Sequence, residues 1–368
     1  MLSLDFLRRI RRYPLKKWPL TTKVTTMDLT NKSELIHYLQ SHGLYTQKKL
    51  GQNFLIDRVA LEKIVEAADI SKDDLIVEVG PGLGTLTEEL IKNAGKVVAV
   101  ELDKKLAVLL GERFATAVIS SPEEGHLGRR GEPRNPSIEK GSLHGGRDDN
   151  MGKLEIINSD ILKVNIDNIT KGEKYKVVAN IPYYITSKIL RFFLEQENKP
   201  ETIVLLTQKE VAERICAKPG EMSVLSVSVQ AYGEPEIIDI VKRDSFFPAP
   251  EVDSAILRIS NIHPFSCHSD RPKGVEESFI RSLDDARDDK KAGIQADNCT
   301  DFERQFFRCV HIGFASRRKT LLNNLSAGYH LDKDAVLDIL KEAGLSDKAR
   351  AQELSLMQWQ KLSKIIAK

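Results

Sequence analysis

No run of apolar residues approaches the ~20 that a membrane-crossing helix needs, and the four cysteines (Cys216, Cys267, Cys299, Cys309) form no C-x-x-C pair. The first absence argues against a membrane-spanning protein. The second, with no histidine at zinc-finger spacing, argues against a disulfide framework and against a structural metal. A reducing compartment fits such cysteines, and the expected location is the cytoplasm. A large charge excess is also missing. The net formal charge is +2, and residues 1–26 alone carry seven Lys/Arg against one acid, Asp5, leaving 48 basic and 52 acidic residues over 27–368. Bulk charge therefore gives no support for nucleic-acid binding, so any RNA surface must be a local patch. The basic, acid-poor start has the composition of a transit peptide, which keeps a mitochondrial location as the alternative. The favoured reading is an upstream extension, because Met27 precedes the first ordinary-looking helix.

What is present describes a globular chain of more than one domain: 368 residues, 41% hydrophobic and 29% charged. Residues 1–30 read as a basic extension. Helical spacing is expected over Leu35–Leu39 and over Leu55–Ala68. Strand-like runs follow at Leu75–Val79, Val97–Glu101, Leu154–Asn158, Lys176–Asn180, Ile203–Thr207, Glu236–Val241 and Ser254–Ile259. The early runs are almost continuously apolar, as parallel strands covered on both faces must be. Strand–helix alternation predicts an α/β, doubly wound, Rossmann-like sheet over 31–262. Two polar stretches, 120–152 and 263–300, interrupt the pattern and are expected to be disordered. From residue 301 to 368 the pattern is all-helical, with helices over Phe302–Gly313, Ser316–Leu325, Lys333–Ala343 and Ser355–Ala367.

A strand running into a glycine turn, Leu75-Ile-Val-Glu-Val-Gly-Pro-Gly-Leu-Gly84, marks a cofactor site. Gly80, Gly82 and Gly84 let the backbone turn tightly and let a ligand approach it. Glu101 ends the next strand, where a carboxylate can accept hydrogen bonds from both hydroxyls of a ribose. The spacing is G-x-G-x-G rather than the dinucleotide G-x-G-x-x-G, and Glu78 stands just before it. A carboxylate there opposes a pyrophosphate but tolerates a cationic sulfonium, which favours S-adenosylmethionine. Asp160, after the third of these strands, can accept from the adenine amine of such a cofactor, or can serve equally as a turn residue.

The fourth strand ends in Asn180-Ile181-Pro182-Tyr183. In open α/β sheets ligands bind beyond the carboxyl ends of the strands. The N6 amine of adenine is a weak nucleophile that needs no deprotonation before attack. A pair of acceptors, the Asn180 side chain and the Ile181 carbonyl, would hold it and favour a more tetrahedral nitrogen. Tyr183 offers a face to a base that has left its stack.

On these residues the sequence resembles the small-subunit ribosomal RNA adenine N6,N6-dimethyltransferases, the kasugamycin-resistance methyltransferase family. The matching segments are Leu50-Gly-Gln-Asn-Phe-Leu-Ile-Asp57, Val79–Gly84, Val100-Glu-Leu-Asp103, Asn180–Tyr183, Phe246-Phe-Pro-Ala-Pro-Glu-Val-Asp-Ser254 and Ser316-Arg-Arg-Lys-Thr-Leu321. The resemblance implies a class I methyltransferase sheet. It also implies that Asn53 and Leu55 line the cofactor pocket with Gly80, Glu101, Asp160 and Asn180, and that Phe246 sandwiches the flipped adenine with Tyr183. The implied substrate is a pair of adjacent adenines near the 3′ end of small-subunit RNA within the pre-ribosomal particle, methylated by a monomer. Arg317, Arg318 and Lys319 are implied phosphate contacts. The rivals are a large-subunit RNA adenine methyltransferase of the macrolide-resistance type and an assembly or mitochondrial transcription factor on the same scaffold. The Phe246–Ser254 run and the Arg-Arg-Lys triplet favour the small-subunit enzyme.

Overall fold

The structure, a computed structural model, describes residues 27–44, 53–116, 118–120, 152–265 and 301–367. Residues 1–26, 121–151 and 266–300 lie outside the described residues, and with them most of the expected extension over 1–30 and of the expected disordered polar stretches. At their margins the expectation is corrected: Leu29 is buried, and the His263 amide donates to the Tyr232 carbonyl at 2.9 Å, so the fold begins before residue 31 and continues past 262.

The strands are β1 (Phe54–Leu55), β2 (Leu75–Val79), β3 (Lys96–Glu101), β4 (Val118–Ser120), β5 (Lys153–Asn158), β6 (Lys176–Asn180), β7 (Thr202–Gln208), β8 (Glu234–Val241), β9 (Phe246–Phe247) and β10 (Ser254–Ser260). Eight of them form one sheet in the order β4-β5-β3-β2-β6-β7-β10-β8, while β1 and β9 pair separately as a short ribbon. From β4 to β7 every pairing is parallel, and β10 then runs antiparallel to both β7 and β8. All five residues of central β2 are buried, whereas edge strand β8 is mostly half-exposed. That contrast follows from a centre covered on both faces and an antiparallel edge wetted on one.

The helices of this part are α1 (Lys32–Ser41), α2 (Arg58–Ala67), α3 (Thr85–Asn93), α4 (Lys104–Arg113), α5 (Ile166–Thr170), α6 (Thr186–Leu194), α7 (Lys209–Ile215) and α8 (Val224–Gln230). Side-chain caps fix several starts: Asn31 for α1, Asp57 for α2 and Asp103 for α4 each accept backbone N–H groups of the first turn. Strand residues alternate between the two faces. Leu75, Val77 and Val79 enter one core with α6 and α8, and Ile76 enters the other with α2 and α3.

The first core continues into a helical unit of α9 (Asp301–Phe314), α10 (Leu321–Tyr329), α11 (Lys333–Ala343) and α12 (Leu356–Ile366). Tyr232, after α8, stacks on Phe307 at 6.1 Å between centroids, and its hydroxyl donates to the buried Glu303 carboxylate of α9. Phe265 lies 5.0 Å from Phe306. An aromatic cluster thus joins the helical unit to the sheet.

Three local expectations are corrected. Leu55 does not begin a helix; it pairs in β1 with Phe246, and α2 starts after the Asp57 cap. The first polar stretch was expected to begin at residue 120, but Val118–Ser120 form strand β4 beside β5. The helix expected from Ser316 begins at Leu321, because the buried Asn324 amide donates to the carbonyls of Gly313 (2.6 Å) and Ser316 (3.0 Å) and holds 315–320 as a turn.

Within α9, a Cβ added to Gly313 would stand 2.4 Å from the Trp359 ring of α12. Alanine would improve helix propensity by about 1 kcal/mol, but overpacking against a buried indole costs ~1–3 kcal/mol. Gly313→Ala is therefore expected to lower stability in urea denaturation of the full chain, and a variant as stable as the parent would contradict this packing.

Candidate active site

Four adjacent parallel strands, in the order β5, β3, β2, β6, present the sequence-identified residues at one edge. Asp160 follows β5, Glu101 ends β3, Gly80 follows β2 and Asn180 ends β6. Register confirms the alignment: Glu101 pairs with Asn158, and Val79 with both Val100 and Ala179. At ~4.8 Å between strands, four strands make a row of about 15 Å, long enough for an adenosine-sized ligand with one reacting end.

The glycine turn takes its shape from backbone that other residues rarely adopt. Gly80, Gly82 and Gly84 have φ of +67°, +59° and +83°. A Cβ on Gly84 would meet Leu110 at 2.5 Å and Phe114 at 2.7 Å, so Gly84 is required for close packing of the turn on α4. A Cβ on Gly80 would meet nothing within 4 Å. Gly80 therefore faces open space at the sheet edge, where a ligand can approach the backbone.

Two carboxylates flank this opening. Glu101 is 6% exposed. Its Oε2 accepts from the Gly82 amide at 3.0 Å and its Oε1 from the Asp103 amide at 2.8 Å. Each oxygen keeps a further lone pair, as a ribose-binding carboxylate requires. Burial pushes its carboxyl above the usual range, against the pull of the Asp103 and Gly82 amides. Glu78 is more deeply placed, at 1% exposure, and its Oε2 has no hydrogen-bond partner. Burial pushes its carboxyl up to about 8; Thr87 pulls it down and the nearby charge of Glu101 raises it again. An unmet buried acceptor, a second raised carboxylate and an open glycine cradle fit a ligand that carries ribose hydroxyls and positive charge. S-adenosylmethionine has both.

At the other end of the row, Asn180 is half-buried and Ile181 is buried. Pro182 leads into a turn over Tyr183–Ile185 ahead of α6. The turn is pinned from beneath: the Thr186 hydroxyl donates to the Tyr183 carbonyl at 3.0 Å and lies 3.0 Å from the Thr207 hydroxyl of β7. Tyr183 Oη lies 2.7 Å from Ser254 Oγ, the first residue of β10. The hydroxyl is thereby occupied, and burial pushes it above its ordinary range. Its ring stays half-buried at the sheet edge. Ser254 was not singled out in the sequence, although it closes the Phe246–Ser254 run.

The remaining sequence-identified residues occupy different surroundings. Asp160 accepts from the Leu162 amide at 3.0 Å as the cap of a short 3-10 turn, so it holds its loop just beyond the end of β5. Asn53 precedes β1, and Leu55 within it is 1% exposed. Phe54 lies beside the glycine turn, 3.6 Å from where a Gly82 Cβ would be. Phe246 is 3% exposed, packed in the core with Leu55, Val241 and Ile256; the structure does not bring its ring against that of Tyr183. The neighbouring Phe247 ring is half-buried, with the Lys32 ammonium 5.5 Å from its centroid. Leu102, directly after Glu101, is 69% exposed, an apolar face at the cofactor end that the sequence pattern did not distinguish from core. Arg317, Arg318 and Lys319 stand exposed in the turn between α9 and α10, and none forms an ion pair among the described residues.

Comparison with known proteins places this geometry. The sequence model described as "Ribosomal RNA adenine dimethylase" matches residues 43–121 and 147–272. A "Ribosomal RNA small subunit methyltransferase A" of Dehalococcoides mccartyi (strain CBDB1) is 39% identical, covering 88% of this chain and 89% of its own length. The protein of the same name from Clostridioides difficile (strain 630) is 35% identical, covering 89% of this chain and 93% of its own. Among solved structures, the 23S rRNA methyltransferase ErmE is similar with a TM-score of 0.55 at 25% identity, over 86% of this chain and all of that one. A dimethyladenosine transferase from Plasmodium falciparum shares the fold with a TM-score of 0.56 at 22% identity, over 84% of this chain and 95% of that one.

Glu78 generates a prediction about pH. Its folded-state carboxyl is raised from 4.5 to about 8, so between those values the folded chain holds a proton that the unfolded chain has released. Stability linked to this group is full below pH 4.5 and is lost as pH rises towards 8. Glu101, raised for the same reason, acts in the same direction. Thermal unfolding of Glu78→Gln against the parent should show the variant gaining in relative Tm from pH 5 to pH 8; parallel profiles would mean that Glu78 is not buried as described.

Proposed function

Because this chain belongs to the ribosomal RNA adenine dimethylase family, we propose that it transfers methyl groups from S-adenosylmethionine to N6 of two adjacent adenines near the 3′ end of small-subunit ribosomal RNA. The product is N6,N6-dimethyladenosine, made while the small subunit is being assembled. The observation that carries the reading is the placement of Asn180-Ile181-Pro182-Tyr183 at the sheet edge one strand from the glycine turn, with the Tyr183 hydroxyl tied to Ser254. The small-subunit substrate is supported by relatives of that name at 35–39% identity over about nine-tenths of the chain, against 25% for the large-subunit enzyme.

The Glu101 carboxylate takes the ribose hydroxyls on its free lone pairs, with its orientation held by the Gly82 and Asp103 amides. Asn53, Leu55, Gly82, Gly84 and Asp160 complete the pocket, with Leu102 as an apolar face. The bound cofactor supplies an electrophilic methyl on a cationic sulfur. A cation at this position favours the ionised forms of Glu78 and Glu101 over their protonated forms, and the exclusion of water strengthens that coupling. The Asn180 side-chain oxygen and the Ile181 carbonyl accept hydrogen bonds from the adenine N6 amine and orient its lone pair along the row. Pro182 fixes the turn, and the Tyr183 ring supports the base. Phe246 holds β1 beside the glycine turn through its pairing with Leu55, and forms the second wall of the base pocket opposite Tyr183. Arg317, Arg318 and Lys319 contact RNA phosphates of the particle at a distance from the chemistry. The working form is a cytoplasmic monomer that docks on the pre-ribosomal particle.

Glu101→Ala is expected to weaken S-adenosylmethionine binding by about 1.5–3 kcal/mol, the scale of hydrogen bonds to a charged group, and unchanged affinity by calorimetry would remove Glu101 from the pocket. Asn180→Ala should lower kcat by about 10²–10³, the scale for losing one preorganised polar group aimed at the reacting centre. Single-turnover methylation of unmethylated small subunits measures it, and a near-parental rate would place the amine elsewhere.

A further inference from the structure

Six large apolar side chains are exposed among the described residues: Val59, Leu102, Val108, Tyr184, Leu331 and Met357. Two of these directly follow residues of the site, Leu102 after Glu101 and Tyr184 after Tyr183. Tyr184 is the aromatic one, at 68% exposure. It shares the Tyr183–Ile185 turn, yet the two tyrosines are used in opposite ways. Tyr183 is half-buried with its hydroxyl bonded to Ser254. The Tyr184 ring makes no ring pairing or cation–π contact, and its hydroxyl no hydrogen bond, among the described residues. Burying a ring of this size would return about 1.5–3 kcal/mol of hydrophobic stabilisation, and the fold forgoes it here at the edge of its active site.

The surroundings fit a nucleic-acid strand. Lys188, four residues on in the first turn of α6, is exposed and forms no ion pair among the described residues. An exposed aromatic face and an exposed ammonium close by in the chain are the two kinds of group, one stacking on bases and one tracking the backbone, with which proteins hold single strands. Successive Cα atoms are about 3.8 Å apart, so Tyr184 reaches positions within one nucleotide of whatever Tyr183 supports.

We propose that Tyr184 is a positioning residue that stacks on the nucleotide adjacent to the adenine being methylated, with Lys188 on the neighbouring phosphate. The inference rests on the ribosomal RNA reading above and deepens it. It assigns to this chain the means of holding the second adenine of an adjacent pair while the first reacts. The pinned turn explains how an exposed ring can do this: the Thr186 and Ser254 bonds fix its backbone while the side chain stays in solvent.

The test is steady-state methylation of unmethylated small subunits by Tyr184→Ala, Tyr184→Phe and Lys188→Gln, with S-adenosylmethionine affinity and Tm measured in parallel. Tyr184→Ala is expected to raise KM for the particle about tenfold, the scale of one base–aromatic stack. Its kcat, cofactor affinity and Tm should remain near the parent, and particles dimethylated at one adenine should accumulate. Tyr184→Phe should restore the parental KM, because the ring does the stacking. Lys188→Gln should reduce the slope of log affinity against log salt by about 1. An active parent with unchanged KM and product distribution in Tyr184→Ala would overturn this inference alone. A parent that methylates no ribosomal RNA would overturn the functional reading and this inference with it.

Discussion

The hydrogen bond from the Gly82 amide to the Glu101 carboxylate ties the turn after one strand to the end of the next. Through it the glycine turn and the Glu101 carboxylate hold one another in place. The turn can reach that amide because three glycines adopt positive φ and because Gly84 lets it pack on Leu110 and Phe114 without a Cβ. The carboxylate is there because β3 runs parallel to β2 with Val79 opposite Val100, so both strands end at the same height. The same parallel register brings β6 to that height and delivers Asn180 beside the opening. A slip of one residue in any of these strands would exchange its two faces and remove its contribution.

The arrangement carries an electrostatic cost. Glu78 and Glu101 are both nearly solvent-free, and the charge of Glu101 makes ionisation of Glu78 harder still. The surrounding core of Ile76, Val97, Ala99 and Leu90 offsets that cost through apolar burial on one face of the central strands, and Val77, Val79, Val98 and Val100 do so on the other. A protein under selection for stability alone would place a hydrophobe at Glu78. An acceptor left unmet in a dry site is instead what a cationic ligand exploits, since attraction between charges grows as water is excluded.

Much of this was legible in the sequence, and the exceptions have local causes. The central strands were legible because burial on both faces leaves continuous apolar runs such as Leu75–Val79. Strand β4 was not, since three residues beside a polar stretch carry no period. Leu55 was assigned to a helix because its apolar spacing runs on into α2; the capping Asp57 was the signal that separates them. The turn at Ser316–Thr320 was hidden because Asn324, which holds it, reads as an ordinary surface residue. At the site, the positions of Gly80, Glu101 and Asn180 were readable because each lies at the end of a strand with an apolar run before it. The bond between Tyr183 and Ser254, the burial of Phe246 and the exposure of Leu102 and Tyr184 were not, because each depends on which elements meet across the sheet.

The central claim is that this sheet edge presents a cationic methyl donor to adenine N6 of small-subunit RNA. It is tested most directly by transfer of labelled methyl from S-adenosylmethionine to unmethylated small ribosomal subunits, with naked small- and large-subunit RNAs in parallel. The account predicts label recovered as N6,N6-dimethyladenosine from the small subunit. Label confined to large-subunit RNA, or no transfer to any of the three, would contradict it.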